Sequence, residues 1–121
     1  MIIGIIGTRR RNEDQDFKKV EQELLYQIRQ NVDKEIKLVS GGCPRGGDRF
    51  AEELARKYNL PIILHRAEWG KYGKYAGFHR NGDIAKDADI LIACVSEDRT
   101  GGTEDTIQKY LKMGKHRLVI V

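Results

Sequence analysis

The stretch Met1-Ile2-Ile3-Gly4-Ile5-Ile6-Gly7-Thr8-Arg9 decides how the rest of the chain is read. Its apolar run is short and β-branched, with no polar alternation. That is the pattern of a central parallel strand buried on both faces. No basic region precedes it and no cleavage pattern follows it, so it reads as a strand and not as a signal peptide. The strand runs into a glycine, a hydroxyl and an arginine. Beyond a polar stretch, Phe17, Val20, Leu24, Ile28 and Val32 fall 3, 4, 4 and 4 residues apart, which is one face of a helix.

The same unit recurs outward from there. Residues 36–39 form a second short strand, which runs into Ser40-Gly41-Gly42-Cys43-Pro44-Arg45-Gly46-Gly47-Asp48. A second helix follows on Phe50, Ala51, Leu54, Ala55 and Tyr58. Asn59 and Pro61 stop it and open a third strand over 61–64. Residues 67–79 read as irregular, and a loop that long tends to be functional or mobile. A short helix is expected after Arg80-Asn81, with Ile84, Ala85 and Ala88 inward. The clearest buried strand, Ile90-Leu91-Ile92-Ala93-Cys94-Val95, comes next. A loop ending in Thr100-Gly101-Gly102-Thr103 opens a last helix on Ile107, Tyr110 and Leu111. Gly114 ends that helix, and residues 118–121 form a final strand. Strands alternating with helices predict one domain over residues 1–121. The expected fold is α/β: a three-layer, Rossmann-like, doubly wound sheet of five parallel strands in the order 3-2-1-4-5.

Composition narrows the function classes. A chain of 121 residues, 40% hydrophobic and 33% charged, has the make-up of one globular domain. No apolar run approaches the roughly 18 residues of a membrane span. The net charge of +4 is mild. It favours phosphates and argues against nucleic acid as the main partner. The two cysteines, Cys43 and Cys94, form no CxxC pair and have no ligands at metal spacing, so the reading includes no metal. A reduced, cytoplasmic setting is the simpler assumption. Cys94 reads as a small core residue. Cys43 lies in a glycine-rich loop, where no base is placed to make it a catalytic thiol.

Three strands end in small, polar loops that open helices: Gly7-Thr8-Arg9, Gly41 to Asp48, and Gly101-Gly102-Thr103. In a doubly wound sheet these loops share one edge, and ligands bind where the strand order reverses. Glycine lets backbone N–H groups approach an anion, and a helix N-terminus adds unpaired donors and a positive dipole end. Arg9 and Arg80 offer planar forks for phosphate oxygens. Each motif alone is weak. The loop at 41–47 contains neither a Walker A sequence nor GxGxxG, and any one turn is also readable as structural. Three such loops on one edge point to a nucleotide-like small molecule as the ligand. No further cofactor is implied.

The ordered set Gly7-Thr8-Arg9, Ser40-Gly41-Gly42 with Gly46-Gly47-Asp48, Trp69 with Tyr72-Gly73-Lys74, Ala76-Gly77, Arg80-Asn81 and Gly101-Gly102-Thr103 resembles the SLOG superfamily (SMF/DprA and LOG). The likeness is to its YspA-like, YpsA-related branch in particular, and it covers nearly the whole chain. It implies a binder of nucleotides or nucleotide derivatives. The LOG-type relatives are phosphoribohydrolases that cleave the N-glycosidic bond of a nucleoside monophosphate. Their signature is a PGGxGTxxE loop with an arginine in a preceding helix. Arg80 resembles that arginine, and Gly101-Gly102-Thr103 resembles a shortened loop. Thr106 stands where the glutamate would be, and Glu104 and Asp105 fall one and two residues after Thr103. Relatives of this kind often dimerise. The apolar helix faces here are compatible with a homo-oligomer, though no residue fixes one.

Several residues carry two readings. Arg80 either binds phosphate or pairs with Asp83 or Asp87 on its own helix. Asn81 contacts the ligand or caps its helix. Asp48 holds a ribose hydroxyl or caps the second helix. Trp69 stacks on a base or anchors its loop. Arg9-Arg10-Arg11 forms an anion funnel or a solvated basic turn. Asp105 acts as acid/base or stabilises the first turn of a helix. Three functions follow. The first is a nucleotide or ADP-ribose/NAD-like binding module acting as a sensor or sequestering protein. The second is an N-glycoside hydrolase using Asp105 or Glu104. The third is a single-strand binder using Arg9, Arg10, Arg11, Lys71 and Lys74, with stacking by Trp69 or Tyr72.

Overall fold

Strand β1 (Ile2–Gly7) pairs in parallel with β2 (Lys37–Ser40) on one side and with β4 (Ile90–Cys94) on the other. Strand β3 (Ile62–Leu64) extends the sheet beyond β2, and β5 (Leu118–Ile120) extends it beyond β4. The computed structural model, which describes residues 1–121, thus holds a five-stranded parallel sheet in the order β3-β2-β1-β4-β5. This is the expected Rossmann-like arrangement.

Alternation along the strands sorts the core into two layers. Ile3, Ile5, Leu38, Ile90, Ile92 and Cys94 face helices α1 (Asp14–Gln30) and α2 (Gly47–Lys57). There they pack on Val20, Leu24, Phe50 and Leu54. The odd-even partners Ile6, Val39, Leu91 and Ala93 face the opposite side. Helices α4 (Ala76–Asp87) and α5 (Gly102–Lys112) cover that side with Ile84, Ala85, Ile107 and Tyr110. A single turn, α3 (Trp69–Tyr72), and a 3-10 turn over Gly73–Tyr75 lead into α4. Each fully buried Ile or Leu contributes about 1.5–3 kcal/mol. These residues therefore hold the sheet edge rigid beneath the loops. No helix is long and apolar enough to cross a membrane.

Two local expectations need correction. Helix α1 ends before Val32, which is 82% exposed. The side-chain amide of Asn31 donates to Gln27 O at 2.8 Å and closes the last turn ahead of it. Residues 67–79 are also not irregular throughout. Helix α4 starts at Ala76, so Arg80 and Asn81 lie inside it and Asn81 is not its cap. The ring of Tyr72 stacks on His79 with centroids 3.9 Å apart, which ties the preceding turn to α4.

Candidate functional site

The carboxyl ends of β1, β2 and β4 surround a cleft of about 710 Å3, placed where the strand order reverses between β1 and β4. Most of the sequence-predicted site residues line it. After β1 come Gly7, Thr8 and Arg9. Around the β2–α2 turn come Gly41, Gly42 and Asp48. Trp69, Arg80 and Asn81 enter from α3 and α4, and Gly101, Gly102 and Thr103 from the start of α5. Gly46, Gly47, Glu104 and Asp105 do not line it.

Gly46 and Gly47 have a different physical role. Gly46 has φ +71° and is the N-cap of α2. A Cβ on it would run into the Thr8 carbonyl, and a Cβ on Gly47 would run into Gly7 N and Ile6 C. These two glycines let α2 cross the end of β1 at backbone contact. Asn12 completes the join. Its Oδ1 accepts from Gly46 N at 2.7 Å and from Arg49 Nε at 2.9 Å.

The arginines around the cleft divide into two groups. Arg10 pairs with Asp98 at 2.8 Å, Arg11 with Asp16 at 2.9 Å, Arg49 with Glu53 at 2.7 Å and Arg99 with Glu104 at 2.7 Å. Arg9, Arg66 and Arg80 line the cleft and have no carboxylate partner within ion-pair distance. The basic triplet at 9–11 is therefore neither a uniform funnel nor a uniform solvated turn. Arg11 also donates to Val95 O at 3.0 Å and Val121 O at 2.6 Å, so it belongs to the framework. Arg10 closes the 98–100 loop. Hydrogen bonds from Arg10, and then from Ser96 and Thr100, hold the Asp98 carboxyl well below the usual carboxylate range.

Arg80 is not consumed by its own helix. Asp83 pairs with His79 at 3.5 Å and Asp87 with His65 at 2.5 Å. Instead Arg80 Nη1 donates to Gly41 O at 3.0 Å and Nε donates to Asn81 Oδ1 at 3.0 Å. Both bonds aim the guanidinium, yet neither neutralises it. Asn81 Nδ2 donates to Gly102 O at 3.3 Å and to Asp105 Oδ2 at 3.1 Å, joining α4 to the first turn of α5. Gly41 sits between the Arg80 and Asp48 side chains. A Cβ there would lie 2.7 Å from both Arg80 Nη1 and Asp48 Oδ2.

Asp48 does not cap α2. It lies within the helix's first turn, and its side chain turns back toward β2. Its Oδ2 accepts from Cys43 N at 3.1 Å, and its Oδ1 lies 2.9 Å from Ser40 Oγ. Burial raises its pKa, against the lowering effect of the Cys43 and Gly41 backbone N–H groups and the Arg80 charge. It is the one carboxylate on the cleft wall.

The two carboxylates expected for hydrolysis turn elsewhere. Glu104 is held by Arg99 through two bonds, at 2.7 and 3.0 Å. Asp105 accepts from Lys109 Nζ at 2.5 Å and from Asn81. Thr106, which stands at the position of the relatives' glutamate, does line the cleft, and its Oγ1 donates to Gly102 O at 3.2 Å. Helix α5 thus presents Gly102, Thr103 and Thr106 to the cleft along with the unpaired first-turn N–H groups of its N-terminus. Trp69, 62% exposed, stands on the rim. Arg66 is a cleft arginine that the sequence reading missed. Its only signal is its place just beyond Leu64, at the same sheet edge as the glycine loops.

No family model, curated protein or solved structure matches the chain. No group of three His, Cys, Asp or Glu side chains is placed to hold a metal ion. Both cysteines are free, Cys94 buried and Cys43 partly exposed. What the site offers is cationic forks, helix-end N–H donors, hydroxyls and one rim aromatic.

Proposed function

We propose that the cleft binds a nucleotide or a nucleotide-derived phosphate ligand of the ADP-ribose or NAD type, and that the chain is a SLOG-type domain serving as a sensor or sequestering protein. The observation that carries this reading is the trio Arg9, Arg66 and Arg80, which faces one cleft without carboxylate partners. Guanidinium forks left unpaired beside a helix N-terminus suit phosphate oxygens. Trp69 at the rim suits a base, which has a π-face and needs no edge readout. A cleft of about 710 Å3 lies within the usual range for small-molecule sites, roughly 300–1,000 Å3. A ligand of this class, together with two unpaired cysteines, suits a cytoplasmic setting.

N-glycoside hydrolysis finds less support, because neither Glu104 nor Asp105 reaches the cleft. The test is calorimetry against a panel of mononucleotides, ADP-ribose and NAD. Saturable binding that is weakened in Arg80→Ala is the expected result. A panel without a single binder defeats the reading.

A further inference from the structure

Three oxygens line up behind the β2–α2 turn. The Ser40 hydroxyl lies 2.5 Å from Ile5 O and 2.9 Å from Asp48 Oδ1. Ser40 is fully buried, and no buried side-chain polar atom in the protein lacks a hydrogen-bond partner. A serine hydroxyl has one proton to give, and a backbone carbonyl has none. The 2.5 Å contact to Ile5 O needs a proton between the two oxygens, and only Ser40 can supply it. The contact from Ser40 Oγ to Asp48 Oδ1 is then two acceptors face to face unless the carboxyl carries a proton of its own. Asp48 Oδ2, by contrast, accepts from the Cys43 N–H, as the carbonyl oxygen of a neutral acid does.

We propose that Asp48 stands in the cleft as the neutral carboxylic acid, donating its proton to Ser40 Oγ, and that this determines specificity by leaving the cleft able to hold a ligand with two or more negative charges. The proposal rests on the phosphate reading of the site. Burial acts in the same direction, since a carboxylate out of water is penalised more than the acid. The groups around Asp48 are few. Strands β1 and β2 present the Ile5 carbonyl and Ser40, neither of which titrates in the accessible range, and the Gly41 N–H just beyond β2 favours ionisation, as the Cys43 N–H does. The titratable Cys43 reaches Asp48 only through its backbone N–H. On α2, Arg49 turns away to Asn12 and Glu53. Arg80 from α4 is the one charge acting on it, and it favours ionisation. The neutral acid leaves Arg9, Arg66 and Arg80 uncompensated. The ionised form would place a negative charge on the wall that the ligand has to approach.

The test uses the whole protein and two readings. Infrared difference spectra of wild type against Asp48→Asn report the carbonyl stretch of a protonated carboxyl without any ligand. Sulfate, whose charge does not change over the pH range used, reports the cleft through chemical-shift titration. Asn suits the variant, since its amide donates to Ser40 and its carbonyl accepts from Cys43. Carboxyl-labelled aspartate in wild type gives the same protonation reading if the variant fails to fold. The expected result is a protonated-acid band at pH 7, and a sulfate affinity that falls roughly tenfold as alkali removes that band. Asp48→Asn should show no such fall through that pH. Absence of the band at pH 7 overturns the proposal whether or not sulfate binds. A wild-type affinity that ignores the loss of the band also overturns it. Sulfate binding to neither protein, with the band intact, is instead the failure of the phosphate reading beneath the proposal.

Discussion

The backbone of Gly47, in the first turn of α2, lies directly against Gly7 at the end of β1. A Cβ on Gly47 would overlap Gly7 N and Ile6 C. Neither of those atoms can swing aside as the end of a side chain can, because both belong to the central strand. The crossing fixes the depth at which α2 sits. It thereby fixes the turn from Ser40 to Gly46 that forms one wall of the cleft.

Gly47→Ala is therefore expected to destabilise the fold by about 3 kcal/mol or more, at the upper end of what overpacking costs. Gly70→Ala is the control. Nothing lies within 4 Å of a Cβ at that position, so its effect should stay within about 0.5 kcal/mol. Urea unfolding of the two variants separates them. Equal stabilities would mean that α2 can slide away from β1 at little cost.

Arg80 predicts a different signature. Its bonds to Gly41 O and Asn81 Oδ1 orient a charge that no carboxylate neutralises. Arg80→Ala should lower the affinity for the proposed nucleotide ligand by roughly tenfold to a hundredfold, the worth of a charged hydrogen bond of about 1.5–3 kcal/mol. Arg80→Lys should recover little of it, because a point charge cannot make both the aiming bonds and a two-pronged phosphate contact. Calorimetry on the three proteins reads this directly, and full rescue by lysine would show that only net charge matters.

Trp69 is the only tryptophan and stands on the cleft rim. Its emission is thus an uncontaminated reporter. Binding of a base-containing ligand is expected to quench or shift that emission, and ADP-ribose should do so more than inorganic diphosphate. Trp69→Ala should weaken ADP-ribose by about 1–3 kcal/mol and leave diphosphate nearly unaffected. Equal losses for both ligands would assign Trp69 to shaping the loop and not to stacking.

Much of this was legible in the sequence, for identifiable reasons. The apolar, largely β-branched run from Ile2 to Ile6, broken only by Gly4, points to a central strand buried on both faces, and its alternation with helical segments gave the parallel order. The glycine loops were harder, because a glycine marks any close backbone approach. Gly41 and Gly42 meet the cleft while Gly46 and Gly47 meet β1, and spacing alone does not separate the two cases. The start of α4 at Ala76 was hidden because its first turns carry glycine and aromatic residues with no apolar period. Arg66 was hidden because a lone arginine after a short strand has no motif around it. On α5 a one-residue shift turns a side chain by about 100°, which sends Asp105 to Lys109 and brings Thr106 to the cleft.

That geometry yields a prediction about chemistry. Asp105→Asn removes a partly exposed pair with Lys109 while its amide oxygen can still accept from Asn81, so it should cost no more than about 0.5 kcal/mol and leave ligand affinity unchanged. If the protein releases base from AMP at all, this variant should release it at the wild-type rate. Loss of turnover in Asp105→Asn, read by chromatography of free adenine, would return that carboxylate to the reacting centre.

The buried acid makes the pH dependence of stability a further test, with a sign opposite to that of most carboxylates. Asp48 has a folded-state pKa raised by burial, so the native state binds its proton more tightly than the unfolded chain does. Its stabilising contribution is complete below the unfolded value of about 3.9 and is lost as pH rises from there to the folded value. Over that window the loss approaches about 1.4 kcal/mol per pH unit, and above it the contribution is flat. The amide of the Asp48→Asn variant has no such proton to lose. Wild type should therefore fall steadily behind the variant as pH climbs from about 4, in urea midpoints measured side by side. Asp98, with its pKa lowered by Arg10, acts in the reverse direction in both proteins and cancels from the difference. A difference that stayed constant with pH would mean that Asp48 ionises as easily in the fold as in the open chain, and the proton assigned to its bond with Ser40 would have to be withdrawn.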